Sequence, residues 1–179
     1  MCGTVLINCQ VFWRSTDGRP NPQRSGRALE RGYLRIDTLE QAFIKSAGGQ
    51  FAIGTAGYTA AYAVAADNLC LGLTVIADSV NALHVTRRAW TDVALQAGVP
   101  ALQVDIVCSD VLTHRRRVEG RRADIPDHML PNWKSVLERQ YDPWNCERLV
   151  VDTAVVSVEH AVETIERHVS KSSPKALNR

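Results

Sequence analysis

Acidic residues stand close after several of the β-rich segments of this sequence, at the points where those segments end. They are Asp37, Asp78, Asp110 and Asp152. A single acid at a strand end is commonly a helix N-cap or a turn residue. Several of them in one fold predict a site, because ligands of open α/β sheets bind beyond the carboxyl ends of the strands.

A cluster of arginines between residues 114 and 122 offers a second kind of chemistry. The cluster consists of Arg115, Arg116, Arg117, Arg121 and Arg122. Arginine presents a fixed fork of donors that matches phosphate oxygens, so the cluster can close over a phosphate group. The alternative is a solvated helix face in which one arginine pairs with Glu119.

Histidines and cysteines carry weaker signals. The five histidines are scattered without the spacing of a metal site, so they are predicted to be surface or packing residues. The five cysteines are an odd number and include no C-x-x-C pair. We therefore expect reduced, mostly structural thiols in a cytoplasmic protein.

Short β-rich runs alternate with segments of helical periodicity along the chain, and this alternation must position the acids and arginines. The predicted strands are 4–8, 33–36, 73–77, 102–107 and 149–151. The predicted helices are 38–46, 56–71, 82–97, 114–122 and 158–169, with Gly72 and Gly98 as helix stops. Apolar strands that alternate with helices predict an α/β fold with a mostly parallel sheet of about five strands and helices on both faces.

Length and composition bound the possibilities. The chain has 179 residues, 45% of them hydrophobic, which suits a single globular domain. The net charge of +2 argues against a dedicated nucleic-acid binder, and no apolar run is long enough to span a membrane. We expect one domain over residues 1–169, followed by a flexible tail over residues 170–179.

Several blocks of the sequence together resemble a bacterial family of small P-loop kinases, usually labelled AAA-family ATPases or kinase-like proteins. These proteins are similar in plan to adenylylsulfate kinase, gluconate kinase and chloramphenicol phosphotransferase. The blocks are residues 33–42, 65–69, 72–81, 107–110, 114–119, 123–126 and 131–133. The resemblance covers about residues 32–168. It implies a P-loop NTPase-like three-layer sandwich and ATP-dependent phosphoryl transfer to a small-molecule acceptor.

The resemblance also implies roles for particular residues. Asp37 would face the acceptor and orient or deprotonate its hydroxyl group. Arg116, Arg117 and Arg121 would belong to a lid over about residues 114–133, where one or two of them close over the transferring phosphate. Which of the lid arginines acts stays open.

The resemblance further implies ATP and Mg²⁺ as cofactors. Asp78, with Ser79 and Asn81 beside it, would lie near the nucleotide and the metal, and Asp78 would be the metal ligand, since Mg²⁺ prefers oxygen ligands. The partners would be a nucleotide and an unknown small molecule, in a monomer or a homodimer.

The defining element of P-loop kinases is missing from this chain. A Walker A loop reads G-x-x-x-x-G-K-[ST], and no Gly-Lys-Ser/Thr occurs here. The segment after the first predicted strand contains Pro20 and Pro22, and the first lysine of the chain is Lys45. Residues 9–31 therefore form an aberrant P-loop region that cannot act as a Walker A loop.

Two hypotheses explain this departure. Residues from about 9 to 31 are either an out-of-frame reading of a former P-loop and helix, or a diverged loop that no longer binds nucleotide. The first fails if neither alternative reading frame of the gene encodes a glycine-rich loop. The sequence thus predicts an impaired kinase-like phosphotransferase, and the alternative is a non-catalytic nucleotide- or metabolite-binding relic of the same fold.

Overall fold

The computed structural model describes residues 7–12, 31–48 and 54–172 of the chain. The strands within these ranges are β1 (Ile7–Phe12), β2 (Arg31–Arg35), β3 (Thr74–Ser79), β4 (Ala101–Val107) and β5 (Leu149–Asp152). The helices are α1 (Ile36–Ser46), α2 (Ala56–Cys70), α3 (His84–Gln96), α4 (Val111–Gly120), α5 (Trp133–Leu137) and α6 (Val158–Ser172). The predicted α/β class is confirmed.

The strands form one sheet in the order β2-β3-β1-β4-β5. The pairs β2/β3 and β4/β5 are parallel, as the sequence predicts, whereas β1 is antiparallel to both of its neighbours. Because β3 and β4 both oppose β1, the strands β2 to β5 all run in one direction. Their carboxyl ends therefore meet at one edge of the sheet, which we call the carboxyl edge.

Strand β1 differs from the predicted first strand in its residue bounds and in the edge of the sheet at which it ends. The predicted strand 4–8 lies partly outside the described residues, and the observed strand is Ile7–Phe12. Phe12 pairs with Val75 and Ala101, near the amino ends of β3 and β4. The chain therefore leaves β1 at the edge opposite the carboxyl edge.

The core lies between the sheet and the helices α1, α2 and α3. Along α2, residues Gly57, Ala61, Ala65 and Leu69 recur every four positions and are all buried, so one face of this helix is made mainly of small side chains. The cluster that Ala61, Ala65 and Leu69 form with the sheet and α3 also contains Val75, Ala77, Trp90 and Ala94.

The predicted helix stops are confirmed at both glycines. Gly72 and Gly98 have positive φ values of 82° and 64°, a conformation that glycine adopts without strain. The amide of Leu73 donates to the carbonyl of Asn68, and the amide of Val99 donates to that of Ala94, as in a Schellman motif. The final helix continues to Ser172, so it extends past the predicted start of the tail at residue 170; residues 173–179 lie outside the described ranges.

Two other expectations concern the cysteines and the membrane. Cys70, Cys108 and Cys146 are free thiols, while Cys2 and the side chain of Cys9 lie outside what the structure describes. In residues 7–12, 31–48 and 54–172, no helix combines the length and the hydrophobicity that crossing a bilayer requires.

Candidate functional site

The four strand-end acids lie at the carboxyl edge, but two of them have structural roles. Asp110 caps α4, accepting hydrogen bonds from the amides of Leu112 (2.9 Å) and Thr113 (3.0 Å). These bonds hold the pKa of the Asp110 carboxyl below its usual value. Asp152 accepts from the amide of Ser109 at 3.0 Å and ties the ends of β4 and β5 together. Asp110 and Asp152 are therefore helix-cap and turn residues, as single acids at strand ends commonly are.

Asp37 occupies a different environment, in the first turn of α1. Strand β2 ends at Arg35 and α1 begins at the next residue, Ile36. The strand and the helix together therefore fix the position of Asp37. Its side chain is 42% exposed. Two basic side chains face its Oδ2 atom, with Arg35 Nη2 at 4.0 Å and His128 Nε2 at 3.8 Å. Both distances are longer than a hydrogen bond, so these groups lie near the Oδ2 atom without donating to it.

The segment of residues 121–132, between α4 and α5, lies beside Asp37. Arg35 Nη1 donates to Asp124 Oδ2 at 2.6 Å, which joins this segment to the end of β2. The bond raises the pKa of Arg35 and lowers the pKa of Asp124. Arg121 Nη2 donates to the carbonyl of Pro131 at 3.0 Å, closing the segment on itself. This is part of the region predicted as a lid.

The three arginines predicted as catalytic separate in space. Burial lowers the pKa of the Arg121 guanidinium, the nearby Arg139 lowers it further, and a smaller interaction with Asp37 opposes both effects. Arg117 instead donates to the hydroxyl of Thr153 at 3.0 Å and to its carbonyl at 3.2 Å, which anchors α4 to the chain after β5. Arg116 donates to Thr113 on its own helix at 3.2 Å. The interaction with Asp37 is the reason to consider Arg121 as the arginine of the site.

Another arginine of the cluster forms the ion pair expected of a solvated helix face. Arg115 Nε lies 2.8 Å from Glu119 Oε1, with both side chains about half exposed. Part of the cluster is therefore surface structure.

The residues predicted to hold nucleotide and metal do not form one group. Asp78 accepts a hydrogen bond from the hydroxyl of Tyr33, across the β2/β3 pair. Ser79 follows it in the same strand and so faces the other side of the sheet. Ser79 and Asn81 are both buried, and Asn81 has a positive φ of 42°.

The structure gives no support for a Mg²⁺ site at these positions. Within the described ranges, no group of three or more His, Cys, Asp or Glu side chains is arranged to hold a metal ion. The carboxylate of Asp78, the predicted metal ligand, accepts the Tyr33 hydroxyl, and the neighbouring Ser79 faces the other side of β3. We assign no chemical step to a metal here.

Sequence reasoning missed two residues that line the space around Asp37. Glu40 lies three positions further along α1, on the same helix face. Burial raises the pKa of its carboxyl, and the nearby Asp37 adds to the rise. The Tyr58 hydroxyl lies beside Ser79 and the Asn81 backbone, and burial raises its pKa. The spacing of Asp37 and Glu40 was the signal that could have identified Glu40.

Gly57 makes the close approach of α1 and α2 at Glu40 possible. A Cβ atom on Gly57 would lie 2.3 Å from Glu40 Cγ, so Gly57→Ala must displace the Glu40 side chain. We expect a loss of about 1–3 kcal/mol in the free energy of unfolding, measured by urea denaturation.

The matched control for this substitution is Gly120→Ala at the end of α4. A Cβ atom there meets no atom within 4 Å. We expect this control to be neutral or to gain up to about 1 kcal/mol, because alanine favours helix. Equal effects of the two substitutions would show that Glu40 does not pack tightly against Gly57.

Comparison of the chain with protein-family models, with curated proteins and with solved structures finds no match. The fold and the carboxyl edge are therefore the basis for any functional conclusion.

Proposed function

We propose that this protein is a P-loop kinase-like phosphotransferase that keeps its acceptor site at the carboxyl edge and is impaired in nucleotide binding. The sheet would be that of a three-layer sandwich of the P-loop type. The observation that carries the proposal is the position of Asp37 at the ends of the parallel strands β2 and β3, beside Arg35, Arg121 and His128. The shared direction of β2 to β5 supports it, because ligands of α/β sheets bind beyond the carboxyl ends of the strands.

Asp37 is suited to act on a hydroxyl group of the acceptor. Its carboxylate is partly exposed and lies near Arg35 and His128, both of which are beyond hydrogen-bond distance. A carboxylate in this position can accept the proton of a hydroxyl as the oxygen attacks a phosphoryl group. Positioning and charge stabilisation are most of what phosphoryl transfer requires from a protein.

Arg121 is suited to stabilise negative charge at the same place. Its guanidinium is held through Pro131 and lies within electrostatic range of Asp37. A fixed guanidinium stabilises developing charge without reorganising during the reaction. We therefore assign to Arg121 the role that the family resemblance gives to a lid arginine.

The direction of β1 favours a second candidate function, a non-catalytic relic that binds a metabolite. A Walker A loop must follow the first strand at the carboxyl edge, whereas this chain leaves β1 at the opposite edge. The chain also contains no Gly-Lys-Ser/Thr. Under this candidate, Asp37 and Arg121 contribute to binding alone.

Calorimetric titration with Mg-ATP, followed by a hydrolysis assay, separates the two candidates. The phosphotransferase predicts residual ATP turnover that falls by about 10²–10⁴-fold in Asp37→Asn. The relic predicts no turnover. The matched control is Asp92→Asn on α3, whose carboxylate is half exposed and faces Arg88 at 3.9 Å.

The outcomes decide the role of Asp37 as well. Turnover that survives unchanged in Asp37→Asn would exclude that residue from the chemistry. Turnover that falls equally in the Asp92→Asn control would mean that the loss reflects stability and not catalysis.

A further inference from the structure

We propose that His128 is a further binding residue of the acceptor site: its Nε2 donates a hydrogen bond to the same hydroxyl oxygen whose proton Asp37 accepts. This inference rests on the proposed acceptor site and adds a residue that neither the sequence pattern nor the family resemblance assigns to it. It specifies the ligand as a small molecule that presents a hydroxyl group to the gap between the two side chains.

The distance between the two side chains allows one oxygen atom to form hydrogen bonds with both of them. His128 Nε2 and Asp37 Oδ2 are 3.8 Å apart, which is too long for a direct hydrogen bond. Two atoms at this separation can each lie about 2.8 Å from one shared oxygen, which is a normal hydrogen-bond length. A hydroxyl is the group that fits, since it donates one proton and accepts through its lone pairs.

The imidazole of His128 is held in place before any ligand arrives. Its side chain is 18% exposed, which is less than half the exposure of Asp37. The bond between Arg35 and Asp124 fixes the segment that carries it to the end of β2. A donor that is already positioned loses little entropy when the ligand binds.

The surrounding charges suit an uncharged hydroxyl compound. Arg35 is matched by Asp124 at 2.6 Å, so it is not free to bind an anionic ligand. The neighbouring groups carry both signs of charge, since Asp37 and Glu40 contribute carboxyl groups and Arg121, which interacts with Asp37, contributes a guanidinium. A neutral polyol or sugar fits this balance better than a ligand with a large net charge.

Nuclear magnetic resonance titration tests the inference directly. Glycerol, ethylene glycol and D-glucose serve as probes, and the observed signals are the Asp37 carboxyl carbon and the His128 ring nitrogens. We expect His128→Leu to raise the dissociation constant of the responding probe by about three- to tenfold, since one hydrogen bond is lost. His128→Gln, whose amide can donate from a similar position, should recover most of the affinity.

The matched control is the pair His160 and Glu163 on α6, whose side chains lie 4.0 Å apart and are both well exposed. His160→Leu should leave the titration unchanged. If His128 has only a structural role, His128→Gln should not bind the probe more tightly than His128→Leu, apart from differences in folding stability. Equal affinities of the two variants would therefore overturn the inference.

The remaining outcomes distinguish this inference from the proposed function. If the Asp37 signal responds with equal affinity in the wild type and in His128→Leu, the inference is wrong and the acceptor site remains. If the Asp37 signal of the wild type responds to none of the three probes, the acceptor site itself is wrong, and the inference with it.

Discussion

Arg87→Ala is expected to lower the free energy of unfolding by about 3–5 kcal/mol, because it removes one partner of a buried charged network. Arg87 is 2% exposed, in the first turns of α3. Its Nη2 atom donates to the carbonyls of Asp142 (2.9 Å) and Pro143 (3.2 Å). Its guanidinium lies 4.4 Å from the centre of the Trp144 ring. These contacts hold the chain between α5 and β5 against α3.

The cost of losing Arg87 extends to Asp105 on β4. Asp105 is also 2% exposed, and Arg87 is one of the two arginines that stabilise its charge. Burial nevertheless raises the pKa of the Asp105 carboxyl above its usual value. Without Arg87, the described partner that remains to compensate this buried carboxylate is Arg148, at 2.8 Å.

Arg88→Ala is the matched control, since the two arginines are adjacent in the sequence. The Arg88 side chain is 74% exposed and faces Asp92 at 3.9 Å. Its loss should change the free energy of unfolding by no more than about 0.5 kcal/mol in urea denaturation followed by circular dichroism. Similar losses for both variants would contradict the buried network.

Trp90→Ala is expected to cost about 3–5 kcal/mol for a different reason, the cavity that it opens in the core. Trp90 has no exposed surface and lies in the cluster that joins α2, α3 and β3. Its ring meets the Tyr62 ring edge to face, with centroids 4.6 Å apart. Removing it loses apolar burial and this aromatic contact together.

Leu95→Ala, five residues further along the same helix, is the control for Trp90. Leu95 is 76% exposed, so its truncation should cost less than about 0.5 kcal/mol. The measurement is the free energy of unfolding from urea titrations of both variants. A loss below about 1 kcal/mol for Trp90→Ala would mean that the core rearranges to fill the space.

Much of the local structure follows from the sequence because its causes are local. The small residues of α2 repeat at the spacing of one helix face, and Gly72 and Gly98 end α2 and α3 where glycine adopts positive φ without strain. The runs that become β3 and β4 are rich in β-branched residues, which favour strands. These elements agree with their predicted bounds to within two residues.

One residue of the candidate site, Asp37, could also be predicted from the sequence. Asp37 stands at the end of a predicted strand, and strand ends are where α/β sheets bind ligands. The same reasoning could not separate Asp37 from Asp110, since both follow strands. Only the hydrogen bonds to Leu112 and Thr113 show that Asp110 is a helix cap.

The sequence by itself determined the helices other than α5, the runs that become β2 to β5, the helix stops and the acids at the strand ends, because each depends on neighbouring residues. The tertiary structure alone decided that β1 runs against its neighbours, since a strand's residue pattern carries no direction. It also brought His128 to Asp37 and buried Arg87 while leaving Arg88 exposed. These outcomes depend on contacts between residues far apart in the chain, and a local pattern contains no information about such contacts.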